Sequence, residues 1–138
     1  MTQNVLIDTG PIVAFLHDAE ASHPWAVAKF RELRGPFITC EPVLSESFFL
    51  LSRRPGGARR FFELLDSGLI NVDFSVLGER AALAKLIHKY RDLPMSLADA
   101  CLVRLAEMHP NASVFTLDGH FRVYRKNSRQ QIPLIAPP

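Results

Sequence analysis

Short apolar runs alternate along this chain with longer stretches in which apolar residues recur every three or four positions. Runs of this length predict buried strands, and the longer periodic stretches predict helices that bury one face. The predicted strands are 5–7, 37–40, 69–74 and 114–117, with a candidate fifth at 132–135. The predicted helices follow the first strand to about residue 16 and then cover 21–33, 42–53, 58–66, 76–90 and 96–108.

The alternation of strands and helices predicts an α/β fold with a parallel sheet covered by helices on both faces. The chain contains no internal repeat, low-complexity tract or long linker, so we expect residues 1–138 to form a single domain. In such sheets, functional groups collect beyond the carboxyl ends of the strands. The acids that follow strands are therefore the first candidates for a functional site.

Composition narrows the class of protein. Apolar residues make up 48% and charged residues 22% of the chain, which is typical of a globular domain and not of a disordered one. The longest apolar run, from Ile12 to Leu16, is too short to span a membrane. The first residues lack the features of a signal peptide, so a cytoplasmic location is expected. Cys40 and Cys101 are too few for a zinc ribbon or a disulfide framework and predict reduced, buried thiols.

The net charge of +2 conceals an uneven distribution of basic residues. Arginine outnumbers lysine by twelve to four, and arginine binds phosphate oxygens through two parallel hydrogen bonds. Two basic clusters therefore suggest an anionic partner, although a solvated surface that keeps the protein soluble also explains each of them. The clusters are Arg53, Arg54, Arg59 and Arg60, and then Arg122, Arg125, Lys126 and Arg129.

Two acids follow predicted strands. Asp8 comes directly after the first strand, where it either caps the next helix or belongs to a site. Asp118 comes directly after the fourth predicted strand and precedes Gly119, so its alternative role is that of a turn residue. Thr116 lies two residues before Asp118, where its hydroxyl could orient a ligand or a water molecule.

Two further acids lie on predicted helices. Glu46 falls in a stretch in which six of nine residues are large and apolar, so we expect that helix to be mostly buried. A buried carboxylate needs a metal ion or a cation such as Arg53 or Arg54, and exposure on a polar edge is the remaining alternative. Asp99 lies three residues after Ser96, which is the spacing of a capping box and is compatible with a place in a site.

Together the four acids form a pattern that none of them shows alone. All of them can converge at the carboxyl edge of the sheet, where close carboxylates repel one another and at least one pKa rises. A divalent cation normally stabilises such a cluster, and ligands that are all oxygen favour Mg²⁺ or Mn²⁺ over zinc. A centre of this kind can activate water for attack on a phosphodiester.

Four local sequences carry a similarity to a known family. They are Val5-Leu6-Ile7-Asp8-Thr9-Gly10-Pro11, Glu46, Leu97-Ala98-Asp99-Ala100 and Phe115-Thr116-Leu117-Asp118. In this order they resemble the PIN domain family, many of whose members are VapC-type toxins of bacterial toxin–antitoxin pairs. The similarity runs from Val5 to the C-terminus and therefore covers nearly the whole chain.

This resemblance implies a three-layer α/β/α fold around a parallel sheet of about five strands, and a metal-dependent ribonuclease activity. The residues that it implies as catalytic ligands of Mg²⁺ or Mn²⁺ are Asp8, Glu46, Asp99 and Asp118, with Thr116 close to them. Some relatives carry a further acid after the fourth one, where this chain has Gly119-His120-Phe121. Asp92 is either an auxiliary acid or a surface residue.

The resemblance also implies partners. They are an RNA substrate, a small antitoxin that covers the acidic site, and a second copy of the chain in a homodimer. Trp25 and Phe30, on the helix predicted over 21–33, belong either to an interface or to the core. Cleavage of RNA needs a grip on the phosphate backbone, and the candidates for this contact are Arg53, Arg54, Arg122 and Arg125.

Three other functions are alternatives to a toxin ribonuclease. Asp8-Thr9-Gly10 is also the catalytic triplet of aspartic proteases, although those are all-β proteins and helical periodicity dominates here. A PIN-like fold can instead be a catalytically silent module that binds RNA or protein. A housekeeping RNA-processing nuclease would use the same acids as a toxin.

Overall fold

The computed structural model describes residues 4–138, which form six α-helices, one 3₁₀ turn and seven short strands. The strands are β1 Val5–Ile7, β2 Phe37–Thr39, β3 Ile70–Val72, β4 Ser113–Phe115, β5 Arg125–Lys126, β6 Gln130–Gln131 and β7 Leu134–Ile135. The helices are α1 Thr9–Leu16, α2 His23–Leu33, α3 Glu41–Leu51, α4 Gly57–Asp66, α5 Arg80–Lys89 and α6 Leu97–Met108. The alternation that the sequence predicts is confirmed.

Five of the strands form one parallel sheet in the order β3-β2-β1-β4-β7. Leu6 of β1 pairs with Ile38 of β2 on one side and with Val114 of β4 on the other. With the flanking helices, this sheet confirms the predicted three-layer α/β/α architecture. The strands β5 and β6 form a separate antiparallel hairpin, which the apolar pattern does not predict.

The same architecture excludes an aspartic protease, because those enzymes are all-β proteins and this sheet is parallel and flanked by helices. The Asp8-Thr9-Gly10 triplet starts a helix: Asp8 is the N-cap of α1, and its side chain accepts a hydrogen bond from the N–H of Thr9. The protease alternative is therefore wrong.

The strand order creates a crevice next to the central strand. The chain crosses from β1 to β2 on one side and later returns to β4 on the other side of β1. Ligands of open parallel sheets bind where the strand order reverses in this way, beyond the carboxyl ends of the strands. Asp8 follows β1 and Asp118 lies shortly after β4, so both acids lie at this position.

Aromatic rings pack α2 against the sheet. The ring centroid of Phe30 lies 4.8 Å from that of Phe37 and 5.6 Å from that of Phe115. Trp25 packs against Phe115 in an edge-on arrangement at 5.5 Å. Such pairs contribute about 0.5–1.5 kcal/mol each beyond the burial of their area. Phe30 therefore belongs to the core, and Trp25, which is half-buried, packs against it.

Helix α3 is less buried than its composition predicts. Its buried residues, Val43, Ser47 and Leu51, form one stripe, and α3 packs against both α1 and α4. Phe48 and Phe49 are exposed, Phe49 by 57% of its surface. The expectation of a mostly buried helix is wrong, because hydrophobic content alone does not tell which face the neighbouring helices cover.

Helix α5 begins later than predicted, at Arg80 and not at residue 76. Residues 76–79 form a turn, and the hydroxyl of Ser75 accepts a hydrogen bond from the N–H of Gly78. A serine side chain that bonds to the local backbone competes with helix formation, and glycine is a poor helix former. These two residues account for the delayed start.

The two cysteines, Cys40 and Cys101, are free and buried, as their small number led us to expect. A hydrogen bond with Cys101 and the burial of the thiol raise the pKa of Cys40.

No helix within residues 4–138 is both long enough and apolar enough to cross a membrane.

The turn between α3 and α4 leaves no space for a methyl group at Gly57. A Cβ atom at this position would lie 1.8 Å from the backbone oxygen of Leu51, which cannot move aside as a flexible side chain can. We expect Gly57→Ala to lower the free energy of unfolding by about 1–3 kcal/mol, as overpacking does elsewhere. Urea unfolding followed by circular dichroism measures this change.

Gly119→Ala is the matched control, because a Cβ atom at Gly119 meets no atom of the described residues within 4 Å. Its effect on the free energy of unfolding should stay within about 0.5 kcal/mol. Equal unfolding free energies for the Gly57→Ala variant and the wild type would contradict the close approach of the α3 and α4 ends.

Candidate active site

Four carboxylates from separate parts of the chain open onto one cleft at the carboxyl edge of the sheet. Asp8 follows β1, Asp118 lies after β4, Glu46 lies in the middle of α3, and Asp99 lies in the first turn of α6. We call this space, about 270 Å³ in volume, the acidic cleft. It is lined by Asp8, Thr9, Gly10, Glu46, Asp99, Leu117 and Asp118.

Asp8 is held at both of its carboxylate oxygens. The backbone N–H of Thr9 donates to Oδ1 over 2.8 Å, and the hydroxyl of Thr116 donates to Oδ2 over 2.7 Å. Asp8 is therefore the N-cap of α1 and a wall of the acidic cleft at the same time. The two roles that the sequence left open coexist.

Thr116 lies beneath the cleft and links two of its acids. Its side chain is fully buried, and its hydroxyl oxygen accepts a 2.9 Å hydrogen bond from the backbone N–H of Asp118. Because that oxygen accepts from one side, its proton is free to be donated to Asp8 on the other. The geometry thus makes Thr116 a support for Asp8.

Asp99 takes part in the predicted capping box of α6. The Ser96 hydroxyl accepts from the N–H of Asp99 over 3.0 Å, and Oδ2 of Asp99 accepts from the N–H of Ser96 over 3.3 Å. The hydroxyl of Tyr124 donates a further hydrogen bond of 3.1 Å to the same oxygen. The sequence analysis missed Tyr124, since one aromatic residue in a basic stretch has no periodicity that would mark it.

Asp118 is held by local contacts. Its Oδ1 accepts from the backbone N–H of His120 over 2.9 Å, which is the turn geometry expected of an Asp-Gly pair. The ring nitrogen Nδ1 of His120 also lies 2.9 Å from this oxygen, at a partly exposed position. His120 therefore stands at the rim of the acidic cleft, beside one of its acids.

Glu46 reaches the cleft from the exposed side of α3. The hydroxyl of Thr9 donates to its Oε2 over 3.1 Å, which links Glu46 to the residue that follows Asp8. Within residues 4–138, neither Arg53 nor Arg54 forms an ion pair with it. Glu46 is exposed at a polar edge and lines the acidic cleft from there.

The electrostatics of the cleft follow from burial and from like charges. Burial raises the pKa of Asp8 to about 6; the charges of Asp99 and Asp118 add to this rise, and the hydrogen bonds from Thr116 and Thr9 oppose it. Burial also raises the pKa of Asp99, with a contribution from Asp118. Repulsion among the acids therefore contributes to both rises, as we predicted.

The donor chemistry of the acidic cleft fits a hard divalent cation. Its acids offer oxygen atoms alone, and the contacts that the described residues make with the carboxylate of Asp118 end on Oδ1. Across residues 4–138, no three Asp, Glu, His or Cys side chains stand close enough to hold a metal ion as they are. A cation bound in the cleft would have to draw these carboxylates closer together.

The arginines of the first basic cluster lie outside the acidic cleft. Arg53 and Arg54 contribute to a different cavity of about 270 Å³, together with residues of α1 and α3. The guanidinium of Arg53 lies over the ring of Phe49, 5.1 Å from its centroid. His17 lines the same cavity, and its Nε2 atom is buried without a hydrogen-bond partner in the described part of the chain.

The second basic cluster lies on the segment that follows Asp118. Arg122 is exposed, while Nη1 of Arg125 donates to the backbone oxygens of residues 122–124. Neither side chain lines the acidic cleft. Asp92, the candidate auxiliary acid, is exposed and also does not line the cleft.

Comparison with known proteins concerns the family and the fold. A family model described as the PIN domain matches residues 5–127 of the chain. The protein named ribonuclease VapC26, from Mycobacterium tuberculosis, is 28% identical over 125 residues. That match covers 88% of this chain and 92% of the relative, so the two proteins correspond over nearly their whole lengths.

A solved structure shares the fold. The crystal structure of VapC20 from Mycobacterium tuberculosis, described as a toxin that cleaves the sarcin–ricin loop, matches with a TM-score of 0.71 at 19% identity. The match covers 84% of this chain and 91% of that one. At this level of identity the likeness concerns the architecture and not the individual residues of the cleft.

The raised pKa of Asp8 makes the stability of the metal-free protein depend on pH. Between the ordinary value of 3.8 and about 6, the folded chain still binds a proton that the unfolded chain has lost. The contribution of Asp8 to the free energy of unfolding is therefore most favourable below about pH 4. It is lost as the pH rises through the pKa that Asp8 has in the folded chain. A shift from 3.8 to about 6 corresponds to about 3 kcal/mol.

Asp8→Asn removes this titration. We expect the unfolding free energy of the variant, minus that of the wild type, to rise by up to about 3 kcal/mol between about pH 4 and pH 7.5 in EDTA. Asp8→Asn also alters the hydrogen bond with Thr116, but this effect on the unfolding free energy is the same at both pH values and therefore cancels. Asp92→Asn, which changes an exposed acid outside the cleft, is the control. Identical pH dependence of Asp8→Asn and the wild type would contradict the raised pKa.

Proposed function

Because the chain belongs to the PIN domain family, we propose that it is a metal-dependent endoribonuclease and the toxin of a toxin–antitoxin pair. The observation that carries this proposal is the convergence of Asp8, Glu46, Asp99 and Asp118 on one cleft at the centre of the sheet. The names of the similar proteins, a ribonuclease and an RNA-cleaving toxin, support the same activity.

The cofactor of the proposed enzyme is Mg²⁺ or Mn²⁺, since hard cations prefer carboxylate oxygens as ligands. The side chains that would hold it are Asp8, Glu46, Asp99 and Asp118. When bound, such a cation lowers the pKa of a water molecule and neutralises negative charge on the scissile phosphate.

The residues around the four acids prepare them for this role. Thr9 and Thr116 each donate to one oxygen of Asp8, and hydrogen bonds to the charged form of a carboxylate favour that form. Thr9 also donates to Glu46, so one residue positions two acids. The acids are thus kept oriented toward the cleft without a cation.

RNA binding in this proposal involves Arg53, Arg54, Arg122 and Arg125. Their positions outside the acidic cleft suit contacts with phosphates along the strand rather than with the scissile one. Arg54 and Arg122 are exposed and free to meet such phosphates, whereas Arg53 and Arg125 would exchange existing contacts for them.

The proposed partners include an antitoxin. An exposed apolar patch on α3 and α4 supports a protein partner, because monomeric proteins seldom leave such surface uncovered. Phe48 and Phe62 form this patch, with ring centroids 5.9 Å apart, and Phe49 follows Phe48 along α3. It borders Arg53, so an antitoxin segment that combines apolar and acidic residues would match it. A homodimer is part of the same proposal and rests on the family alone.

Purified protein should cleave a mixed RNA pool in the presence of Mn²⁺ or Mg²⁺ and should not cleave it in EDTA. We expect Asp8→Asn and Asp118→Asn to lower the rate at least about 100-fold, since each removes a charged ligand of the proposed cation. Asp92→Asn should retain the wild-type rate because this acid lies outside the cleft. Denaturing gels of end-labelled RNA measure the rates.

Three other results would change the proposal. Binding of Mn²⁺ without cleavage of any RNA would favour a catalytically silent binding module. Cleavage that is equal in the wild type and in Asp8→Asn would show that the activity comes from a contaminant. Metal-dependent cleavage without growth arrest on expression would favour an RNA-processing nuclease over a toxin.

The arginine proposal predicts a change in the salt dependence of RNA binding. Replacing both Arg53 and Arg54 by alanine, or both Arg122 and Arg125, should lower the slope of log affinity against log salt by about 1.4, provided that each arginine contacts one phosphate. The RNA affinity of catalytically inactive Asp8→Asn protein, measured by fluorescence anisotropy at several salt concentrations, gives this slope.

The control is a double variant with the same change in net charge at positions away from both clusters. Arg31→Ala combined with Lys85→Ala meets this condition, because both side chains are exposed and lie on α2 and α5. If the control lowers the slope as much as the arginine pairs do, the clusters are ordinary surface charges.

A further inference from the structure

Tyr124 lies behind the acidic cleft and contacts one of its carboxylates. Its hydroxyl donates a 3.1 Å hydrogen bond to Oδ2 of Asp99, and its side chain is fully buried. We propose that Tyr124 is a positioning residue, which holds Asp99 by one oxygen so that the other, Oδ1, remains available to a cation in the cleft. This inference rests on the proposed function and adds a residue to its machinery.

The two oxygens of Asp99 have different surroundings. The hydrogen bonds from the N–H of Ser96 and from the hydroxyl of Tyr124 both end on Oδ2. The hydroxyl of Ser96 also interacts with this carboxylate and favours its charged form. Of the two bonds on Oδ2, the one from the N–H of Ser96 is the longer, at 3.3 Å. Tyr124 therefore provides the shorter of these two contacts.

The ring of Tyr124 has little freedom to move. It packs edge-on against Tyr90 with ring centroids 5.1 Å apart and against Phe121 with centroids 5.3 Å apart. A third ring, that of His120, lies roughly parallel to it at 6.4 Å. Core packing thus determines where the Tyr124 hydroxyl lies.

The hydroxyl of Tyr124 acts as a donor to a charged group. An ionised carboxylate oxygen can only accept a hydrogen bond, so the proton between Tyr124 and Oδ2 of Asp99 belongs to the tyrosine. Donation to Asp99 favours the ionised carboxylate, in opposition to the burial that disfavours it. A hydrogen-bond partner of this kind orients a metal ligand, and its loss weakens metal binding.

Tyr124→Phe tests this inference because it removes the hydroxyl and keeps the ring. We expect the dissociation constant for Mn²⁺, measured by isothermal titration calorimetry on metal-free protein, to rise by about 10-fold or more. Tyr90→Phe is the matched control. It removes a hydroxyl from the same aromatic cluster, but that hydroxyl contacts backbone and not an acid of the cleft. Its Mn²⁺ affinity should remain that of the wild type.

Metal-free crystal structures of the wild type and of Tyr124→Phe provide a second readout that does not depend on metal or RNA. The Asp99 carboxylate should leave its wild-type orientation in the variant, while the ring at position 124 stays in place. An unmoved Asp99 overturns the inference, and so does unchanged Mn²⁺ affinity in a wild-type protein that binds the ion. If the wild type does not bind Mn²⁺, the proposed function fails, and the orientation of Asp99 alone decides the role of Tyr124.

Discussion

The removal of the Asp8 carboxylate from water is the constraint on which the rest of this structure depends. Asp8 stands at the end of the central strand, where burial raises its pKa to about 6. The N–H of Thr9 and the hydroxyl of Thr116 compensate for part of the lost hydration. Both donors are in place because α1 starts immediately after Asp8 and because β1 pairs in parallel with β4, with Ile7 opposite Phe115. A shift of this register by one residue would move Thr116 away from Asp8.

The four acids are held in two different ways. The two buried ones, Asp8 and Asp99, each accept a hydrogen bond from a buried hydroxyl that comes from a distant part of the chain, Thr116 and Tyr124. The two more exposed ones rely on smaller contacts, Glu46 on the hydroxyl of Thr9 and Asp118 on the turn that follows it. The acids that are most buried are thus the ones whose hydrogen-bond donors are also buried. Rigid packing of those partners, in a core built on aromatic contacts, keeps a cleft of like charges open.

Local sequence signals predicted those parts of the site that depend on local geometry. The spacing of Ser96 and Asp99 predicted a capping box, and the structure contains it with both hydrogen bonds. The Asp-Gly pair predicted a turn at Asp118, and that turn is also present. Tyr124 could not be found in this way, because its contact with Asp99 joins residues 25 positions apart in the chain and leaves no periodic trace. The burial of α3 was overestimated for a related reason, since the faces that α1 and α4 cover are a property of packing and not of composition.

Reading the chain residue by residue is enough to predict the order of strands and helices, the parallel architecture, the three-layer fold that a family resemblance implied, and the four acids as a candidate set. Hydrophobic periodicity and the chemistry of caps and turns depend on neighbouring residues, so they are visible in the sequence. The family resemblance is likewise established one position at a time along the chain. The contacts of Thr116 with Asp8, of Thr9 with Glu46 and of Tyr124 with Asp99 are visible only in the folded chain. Each of these depends on where distant segments meet, and that is set by how side chains fill the shared core.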